Sequence, residues 1–367
     1  MGQSLRILFL FKRYYMGKDV IADRYGRLFQ FPYQLARRGH QVSCLLSDYH
    51  LKSSGPGSLT RDEINWKSAP VSRPDRWLAE ARNAARDCDV IIGSSDCLQV
   101  CMASYLAKKF GKPCLLDLYD NYESFGLAKI PLVKSYYAKA IRRAGATSCI
   151  GDELRGMVER RYSPTGFTLT LNSTIAENQF FPVDRAAARE ALGLPADSVL
   201  VGLCGGLMSI RGVGYFYRAV QELWREGVDI KLVLAGTPHA SEPPPQGENT
   251  ILLGNLAFDQ MNTFYNAVNL NVLQYLDNEF GKYCYPQKLE EIIATGAPLV
   301  SASVGEMRRR FSETPSVLFQ PEDISSIKAA VLRQLDSPTR YDTSTQTWDA
   351  VGQKLESALY RLNSGPD

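Results

Sequence analysis

Residues 202–212 read Gly-Leu-Cys-Gly-Gly-Leu-Met-Ser-Ile-Arg-Gly and lie between a predicted buried strand and a predicted helix. Glycines such as Gly205 and Gly206 let a backbone come close to a phosphate, and a helix start offers free N–H groups at the positive end of its dipole. Arg211 adds a cation suited to two-pronged phosphate contacts. The segment indicates an anion-binding loop, or else a tight turn without a ligand. It lacks the Gly-x-Gly-x-x-Gly spacing of nicotinamide cofactor sites.

A second candidate follows the sequence Tyr-Pro-Gln-Lys-Leu-Glu-Glu at 285–291. Pro286 is suited to the first turn of a helix and Gly296 to its end, so the pattern predicts a helix over 287–295. Lys288 and Glu291 are three residues apart and therefore share one helical face. A cation and a carboxylate placed there could hold a phosphate and a ribose diol. The alternative is a solvent-exposed ion pair.

A third group of residues is basic and follows the first predicted strand. It contains Lys12, Arg13, Lys18, Arg24 and Arg27. Such a cluster could bind an acceptor that carries a phosphate or an acidic sugar, and we assign Arg13, Arg24 and Arg27 to this role. A solvated surface is the alternative.

The basic character extends over the first half of the chain. Residues 1–178 contain 26 Lys and Arg against 17 Asp and Glu, a net charge of +9, whereas the remainder carries −6. Residues 129–143 mix lysines and arginines with large apolar side chains, as an interfacial helix does. This pattern favours peripheral contact of the first half with an anionic membrane, or else an ordinary amphipathic surface helix.

Composition narrows the class of protein. With 367 residues, 45% hydrophobic and 22% charged, the chain is large enough for two globular domains. No apolar run is long enough to span a bilayer. The eight cysteines form no Cys-x-x-Cys pair and are expected to be reduced core thiols, which predicts a cytoplasmic location. Three histidines make a histidine-rich metal site improbable.

Short apolar runs alternate with helical stretches along both halves of the chain. This alternation predicts parallel, doubly wound sheets in two Rossmann-like domains. The polar segment 172–182 interrupts the alternation, so we expect domains at 1–178 and 179–345. A helix at 346–367 follows and is expected to pack toward the first domain.

Several short motifs together resemble the retaining glycosyltransferase family 4. Pro286-x-Lys288-Leu289-x-Glu291 resembles the nucleotide-sugar helix of its P-x-K-L-x-E subgroup. The loop from Gly205 to Gly212 resembles the family's G-R-L…K-G loop, and Leu253-Gly254 resembles its "flG". Arg37-Arg38-Gly39-His40 resembles its early R-G-H turn, and the resemblance covers nearly all the residues.

This resemblance implies the GT-B fold, in which two Rossmann-like domains face each other across a cleft. It implies that Glu291 holds the donor ribose, that Arg211 and Lys288 hold the diphosphate of a UDP- or GDP-sugar, and that Gly205, Gly206 and Gly254 complete the donor site. The two cations would replace a metal ion, so no metal and no resident cofactor are implied.

The resemblance also implies a reacting group at the end of the strand predicted over 113–119. Asp120 is our candidate to accept a proton or to stabilise positive charge on the sugar ring; a turn-forming role is the alternative. The implied reaction is substitution with retained configuration, without a covalent intermediate, and Arg211 and Lys288 would assist it through the leaving phosphate.

Three places depart from the family pattern, one of which is the loop Tyr14-Tyr15-Met16-Gly17, where the usual glycine pair is absent. Gly206 stands where many members have a phosphate-binding arginine, and Tyr283 stands where many have the first of two glutamates. Asp87-Cys88-Asp89 has the spacing of a metal-binding D-x-D motif but precedes a predicted strand, so a turn is the better interpretation.

The sequence therefore favours a glycosyltransferase acting on a glycan or lipid-linked acceptor in bacterial cell-surface polysaccharide biosynthesis, in the cytoplasm or at the inner face of the membrane. One alternative is a nucleotide-sugar 2-epimerase of the same fold. Another is a non-catalytic protein that binds nucleotide sugars or nucleic acid, although we expect no nucleic-acid partner.

Overall fold

The computed structural model describes residues 3–15, 17–49, 57–124 and 126–364. The chain forms two compact units, Met1–Ser173 with Trp348–Asp367 and Thr174–Thr347. The chain thus enters the second unit earlier than the expected boundary at 178. Its last helix returns to the first unit.

The first unit contains a mostly parallel sheet with the order β10-β9-β8-β7-β1-β4-β6-β5. Only β5 pairs antiparallel within it, and β2 and β3 form a separate small ribbon. Over the described residues, the strands are β1 Arg6–Lys12, β2 Tyr14–Tyr15, β3 Lys18–Asp19, β4 Gln41–Asp48, β5 Ser58–Arg61, β6 Ile64–Pro70, β7 Val90–Ser94, β8 Cys114–Leu118, β9 Ala146–Cys149 and β10 Phe167–Thr170.

The helices of the first unit connect the parallel strands, as the sequence predicted. Within its described part they are α1 Gly26–Arg37, α2 Pro74–Asp87, α3 Cys97–Phe110, α4 Pro131–Arg143 and α5 Asp152–Tyr162, with the C-terminal helix α13 Trp348–Asn363. The sequence interpretation omitted α2, β5 and β6. Strand β6 alternates buried and exposed residues near the sheet edge, so it does not form the continuous apolar run by which the central strands were identified.

Helix α13 packs on α1 of the first unit. Arg38 pairs with Asp349 at 2.9 Å, and His40 Nε2 lies 3.1 Å from Glu356 Oε1. The other ring nitrogen of His40 accepts a hydrogen bond from the Leu5 N–H at 3.1 Å. His40 therefore has the structural role expected of it.

The second unit contains a parallel sheet with the order β13-β12-β11-β14-β15-β16. In chain order this is 3-2-1-4-5-6, the arrangement of dinucleotide-binding Rossmann sheets. Over the described residues, its strands are β11 Leu200–Cys204, β12 Lys231–Ala235, β13 Thr250–Gly254, β14 Leu270–Leu273, β15 Leu299–Ala302 and β16 Leu318–Phe319.

The helices of the second unit complete the doubly wound pattern. They are α6 Arg185–Ala191, α7 Val213–Arg225, α8 Met261–Ala267, α9 Glu279–Tyr283, α10 Gln287–Thr295, α11 Gly305–Arg310 and α12 Ile324–Asp336. The predicted fold class, two parallel α/β sheets of Rossmann type, is confirmed. In the second sheet the strand order reverses between β11 and β14, and ligands of such sheets bind beside the carboxyl ends of the strands at this point.

Side chains outside the candidate site agree with the sequence interpretation. All eight cysteines are free, and seven are buried. Asp89 of the Asp-Cys-Asp segment forms an ion pair with Arg6 at 2.6 Å, immediately before β7. Among the described helices, none is long and apolar enough to cross a membrane.

Candidate active site

Helix α10 begins and ends where its sequence predicts. Pro286 precedes the first helical residue in an extended conformation, and Gly296 ends the helix with a φ of +67°, a conformation that glycine adopts readily. Leu289, Ile292 and Ile293 are buried in the core of the unit. Burial of this apolar face fixes the rotation of the helix, and with it the directions of Lys288 and Glu291.

Lys288 reaches from α10 to the carboxyl end of β11. Its ammonium group donates a hydrogen bond to the carbonyl oxygen of Cys204 at 2.6 Å. A Cβ atom at Gly205, where φ is +93°, would lie only 2.0 Å from Lys288 Nζ. Position 205 therefore accepts glycine for two reasons, its backbone conformation and the room that the lysine needs.

The charge of Lys288 is not neutralised by an ion pair. Within the described residues no carboxylate forms an ion pair with it. Burial lowers the pKa of Lys288, and the neighbouring Arg211 lowers it further, while Glu291 acts in the opposite direction. A cation held in this way is stabilised when an anion arrives, because a buried charge needs a partner.

Arg211 ends a short 3-10 turn, Ser209–Arg211, just before α7. Its guanidinium lies 5.4 Å from the ring centre of Tyr275 and 5.7 Å from that of Phe280. The two aromatic rings support the side chain, Nη1 donates a hydrogen bond to the Tyr275 hydroxyl at 3.5 Å, and Arg211 has no carboxylate partner among the described residues. Gly212 follows with a φ of +75° and turns the chain into the helix.

Gly206 lies directly beside this guanidinium. A Cβ atom at Gly206 would approach Arg211 Nε to 3.4 Å and Cζ to 3.5 Å. The position at which related sequences have an arginine is thus next to the guanidinium that Arg211 supplies. The resemblance led us to expect a cation at position 206, in the first half of the loop. The guanidinium of Arg211, from the second half, lies in that region instead.

Glu291 is 3% exposed and lies on the same side of α10 as Lys288. Its Oε2 accepts a hydrogen bond from the hydroxyl of Tyr265 at 2.6 Å. Burial raises the pKa of Glu291, whereas the Tyr265 hydroxyl and the Lys288 charge oppose this rise. The structure thus brings together a carboxylate with a defined orientation and the cation predicted to share its helical face.

Glu290 has separate surroundings. An ideal helix turns it about 100° from Glu291, and its carboxylate accepts a hydrogen bond from the hydroxyl of Tyr285. Burial raises its pKa. Glu290 therefore belongs to a second buried Tyr–Glu pair on a different side of the same helix, which provides a matched comparison for Glu291.

Backbone hydrogen bonds made by glycines connect the carboxyl ends of the neighbouring strands β11, β12 and β13. The Gly205 N–H donates to the Ala235 carbonyl at 2.7 Å, and the Gly236 N–H donates to the Gly254 carbonyl at 2.7 Å. A Cβ atom at Gly236 would lie 2.2 Å from the Gly205 carbonyl oxygen. Gly254 therefore contributes through its backbone at the end of β13, two strands away from Lys288.

In the first unit, Asp120 follows β8 as predicted. Its Oδ1 accepts a hydrogen bond from the Asn121 N–H at 2.8 Å. Burial raises the pKa of Asp120 to about 6, against smaller opposing effects of that hydrogen bond and of Lys12. A carboxyl group with this pKa can exchange a proton near neutral pH, and it also forms the turn that was the alternative interpretation.

Arg27 has a different role from the one the sequence suggested. Its side chain has no exposed surface, and it pairs with Asp117 at 2.5 Å. Ser94 and Ser148 donate to the same carboxylate at 2.8 and 2.7 Å, and the Leu171 carbonyl accepts from Arg27 Nη1. The assignment of Arg27 to acceptor binding is wrong, because its donors are all directed into the protein.

Arg13 and Arg24 are also ion-paired. Arg13 is 3% exposed and bonds to Asp19 at 2.9 Å, so it is not the free surface cation that was expected. Arg24 remains at the surface with Asp62 as its partner at 2.7 Å. The basic composition of the segment concealed these partners: Asp19 lies within the segment itself, and Asp62 is brought in from another part of the fold.

With this geometry established, the chain can be compared with known proteins. Residues 198–337 match the family described as glycosyl transferases group 1. This range contains Gly205, Arg211, Tyr265, Lys288 and Glu291.

The second unit is thus similar, over residues 198–337, to a glycosyl transferases group 1 domain.

The curated relatives of the chain are distant. Alpha-D-kanosaminyltransferase of Streptomyces kanamyceticus is 23% identical over 65% of this chain and 62% of its own length. D-inositol 3-phosphate glycosyltransferase of Thermobispora bispora is 26% identical over 51% of this chain and 47% of its own. The chain thus spans about half of the length of these relatives.

Solved structures resemble the whole chain, beyond the group 1 domain. Sucrose-phosphate synthase from Thermosynechococcus elongatus has a TM-score of 0.76 at 16% identity and covers 98% of this chain and 99% of its own. Anabaena HepE in complex with UDP has a TM-score of 0.70 at 14% identity and covers 98% of both chains. At these identities the similarity establishes the fold.

One residue of the group 1 domain escaped the sequence interpretation. Tyr265 lies on α8, 26 positions before its partner Glu291, and is completely buried. No short motif contains both residues. Only the packing of α8 against α10 shows that this tyrosine holds the carboxylate.

Proposed function

We propose that this protein transfers a sugar from a nucleoside diphosphate sugar to a glycan or lipid-linked acceptor, with retention of the anomeric configuration. One observation carries the proposal. At the strand-order reversal of the group 1 domain, Lys288 and Arg211 have no ion-pair partner among the described residues, and the fixed carboxylate of Glu291 lies beside them. Two cations that can bind a diphosphate therefore lie next to a carboxylate that can accept hydrogen bonds from ribose hydroxyls.

The chemistry follows from these charges. When the bond between the sugar and the diphosphate breaks, negative charge increases on the leaving phosphate. Lys288 and Arg211 stabilise that charge more in the transition state than in the bound donor, and this difference accelerates the reaction. Glu291 accepts hydrogen bonds from the ribose diol and fixes the donor, while Gly205, Gly206 and Gly254 permit close approach of the backbone.

In this proposal the two cations perform the task that a metal ion performs in other glycosyltransferases, so we expect activity to persist in excess chelator. Asp120 of the first unit accepts a proton or stabilises positive charge on the sugar ring. UDP is the first nucleotide to test, because Anabaena HepE has been solved with UDP and with UDP-glucose. The proposed setting is cell-surface polysaccharide assembly, and contact with an anionic membrane would serve a lipid-linked acceptor.

The test measures donor binding and turnover separately. UDP and GDP are titrated by calorimetry, and UDP- and GDP-sugars are assayed with and without chelator. Glu291→Gln keeps the shape of the side chain and removes its charge, so donor affinity should fall about tenfold to a hundredfold. The matched variant Glu290→Gln changes the neighbouring Tyr–Glu pair and should bind donor like the unmodified protein.

The outcomes separate the proposed function from its alternatives. Sugar transfer to an acceptor, or slow donor hydrolysis that depends on Lys288, supports the glycosyltransferase. An altered sugar on an intact nucleotide would identify an epimerase instead. Tight nucleotide-sugar binding without turnover would identify a binding protein. Weaker donor binding in Glu290→Gln but not in Glu291→Gln would reject the site itself.

A further inference from the structure

The first unit has a wide concave surface at the amino ends of its strands, on the sheet edge opposite to Asp120. A cavity of about 1360 Å³ opens here between the C-terminal ends of α3 and α4, the starts of β8 and β10, and the end of α13. We refer to it as the amino-edge groove. The candidate active site does not use it.

Among the residues that the structure describes, five cations and no carboxylate line the amino-edge groove. The cations are Lys108, Lys112, Lys139, Arg143 and Arg361. The sequence around it has the same bias: residues 97–116 and 126–151 contain eight Lys and Arg and no Asp or Glu. Some of these charges favour the C-terminal ends of α3 and α4. Arg361 likewise lies in the last turn of α13, but Lys112 follows α3 and Lys139 precedes the last turn of α4, so helix stabilisation does not account for the whole set.

Most of the large apolar side chains exposed on the first unit lie on or between α3 and α4, and two of them, Tyr105 and Tyr136, line the groove itself. Six of the eight such residues in its described part lie on α3, on α4 or in the segment between them: Leu98, Tyr105, Leu127, Ile130, Leu132 and Tyr136. On α4, Leu132 and Tyr136 are one turn apart and are 67% and 61% exposed. Tyr136 itself lines the groove, with Lys139 and Arg143 on the following turns.

Cations next to exposed leucine and tyrosine suit a membrane interface. Aromatic and aliphatic side chains enter the boundary between headgroups and acyl chains, while lysine and arginine remain at the level of the phosphates. A soluble polyanion would use the cations and leave the apolar side chains in water. The combination therefore favours a lipid surface.

From this arrangement we propose that the amino-edge groove binds the phosphate headgroups of an anionic membrane, with the exposed face of α4 inserted beside them. The proposal goes beyond the reaction of the group 1 domain and depends on none of the residues of the donor site. It would keep the enzyme at the surface where a lipid-linked acceptor is found.

The test compares binding to vesicles of phosphatidylcholine with and without phosphatidylglycerol, at low and high salt. The unmodified protein should bind the anionic vesicles at low salt and be released by salt. Changing Lys139 and Arg143 together to glutamine should weaken binding by about thirtyfold, since each basic residue near such a surface contributes about fivefold. Leu132→Ser with Tyr136→Ser should weaken binding to the anionic vesicles at low salt.

Matched controls identify the surface. Arg73 and Arg76 are exposed cations on and beside α2, away from the groove; their double glutamine variant should bind vesicles like the unmodified protein. If both double variants lost vesicle binding equally, binding would depend only on the overall charge of the protein, and the proposal would be overturned. The absence of binding to anionic vesicles at low salt would also overturn it.

A further arm separates a lipid surface from a soluble anion. Glycerol 3-phosphate carries the headgroup chemistry without the acyl chains and should not displace the protein from vesicles at equal phosphate. Displacement at that concentration, together with unchanged binding of the Leu132/Tyr136 variant, would show a soluble phosphate site instead. UDP titration of each variant is measured in parallel: failure of donor binding rejects the proposed function, whereas failure of vesicle binding alone rejects only the groove.

Discussion

Both units place an arginine at the carboxyl edge of a parallel sheet, yet the two arginines differ in their partners. Arg27 of the first unit is fully buried and satisfied by Asp117 and the Leu171 carbonyl. Arg211 of the second unit rests beside two aromatic rings and near Lys288, with no carboxylate paired to either cation among the described residues. A cation that is neutralised within the fold stabilises structure, whereas one held without a counter-ion is available to an anionic ligand.

The largest expected effect comes from breaking the ion pair between Arg27 and Asp117. Asp117→Asn leaves Arg27 as a buried charge without its counter-ion, so the free energy of unfolding should fall by about 3–5 kcal/mol. Urea denaturation followed by tryptophan fluorescence measures this change. Replacing both residues, with Arg27→Met added, should recover much of the loss because no charge then remains buried. No change in stability for Asp117→Asn would show that the pair is not structural.

Replacing Lys288 should impair catalysis without lowering stability, in contrast to the loss of stability expected for Asp117→Asn. Lys288→Met removes a cation that stabilises the leaving phosphate, so kcat should fall roughly 10²- to 10³-fold. Burial depresses the folded-state pKa of Lys288, so the stability associated with this shift exists only above the unfolded pKa and is lost as pH falls through the folded one. At neutral pH the methionine variant should be as stable as the unmodified protein or more stable. A large loss of stability would contradict the contrast with Arg27.

The hydrogen-bonded pairs Tyr265–Glu291 and Tyr285–Glu290 provide a further comparison. Tyr265→Phe removes the hydrogen bond to Glu291, and Tyr285→Phe removes the one to Glu290. Both should lower the free energy of unfolding by about 1–3 kcal/mol, since each leaves a buried carboxylate with one partner fewer. Only Tyr265→Phe should raise the donor KM, by about tenfold, with a smaller change in kcat. Equal donor KM in the two variants would mean that Tyr265 has no positioning role.

The smallest effect concerns Asp120 and pH. Its folded pKa of about 6 lies above the ordinary value of 3.8, so its favourable contribution to stability is complete below pH 3.8 and is lost as pH rises through about 6. Relative to Asp120→Asn, the unmodified protein should become less stable across that range. If the ionised carboxylate acts in the reaction, kcat/KM should rise through about pH 6 and lose this dependence in the variant. A flat difference in stability would show that Asp120 titrates normally.

The fold and the central helix of the site could be predicted from local patterns. Continuous apolar runs identified the central strands because both of their faces are covered. Pro286 and Gly296 marked the ends of α10 through their own backbone preferences, and the three-residue spacing of Lys288 and Glu291 placed them on one face. Strand β6 was missed because it is half exposed and alternates in polarity.

What the sequence alone determined is therefore local: element types, helix ends, spacing on a helical face and the net charge of each half. The tertiary structure decided which charges are already neutralised. Asp117 lies 90 residues from Arg27, and Tyr265 lies 26 residues from Glu291. Nothing in either stretch of sequence identifies such a partner, because an ion pair or hydrogen bond depends on distances that the packing of strands and helices sets. The same packing paired Arg13, Arg24 and Arg27 of the basic segment with carboxylates and left Lys288 and Arg211, among the described residues, without an ion-pair partner at the carboxyl edge of the second sheet.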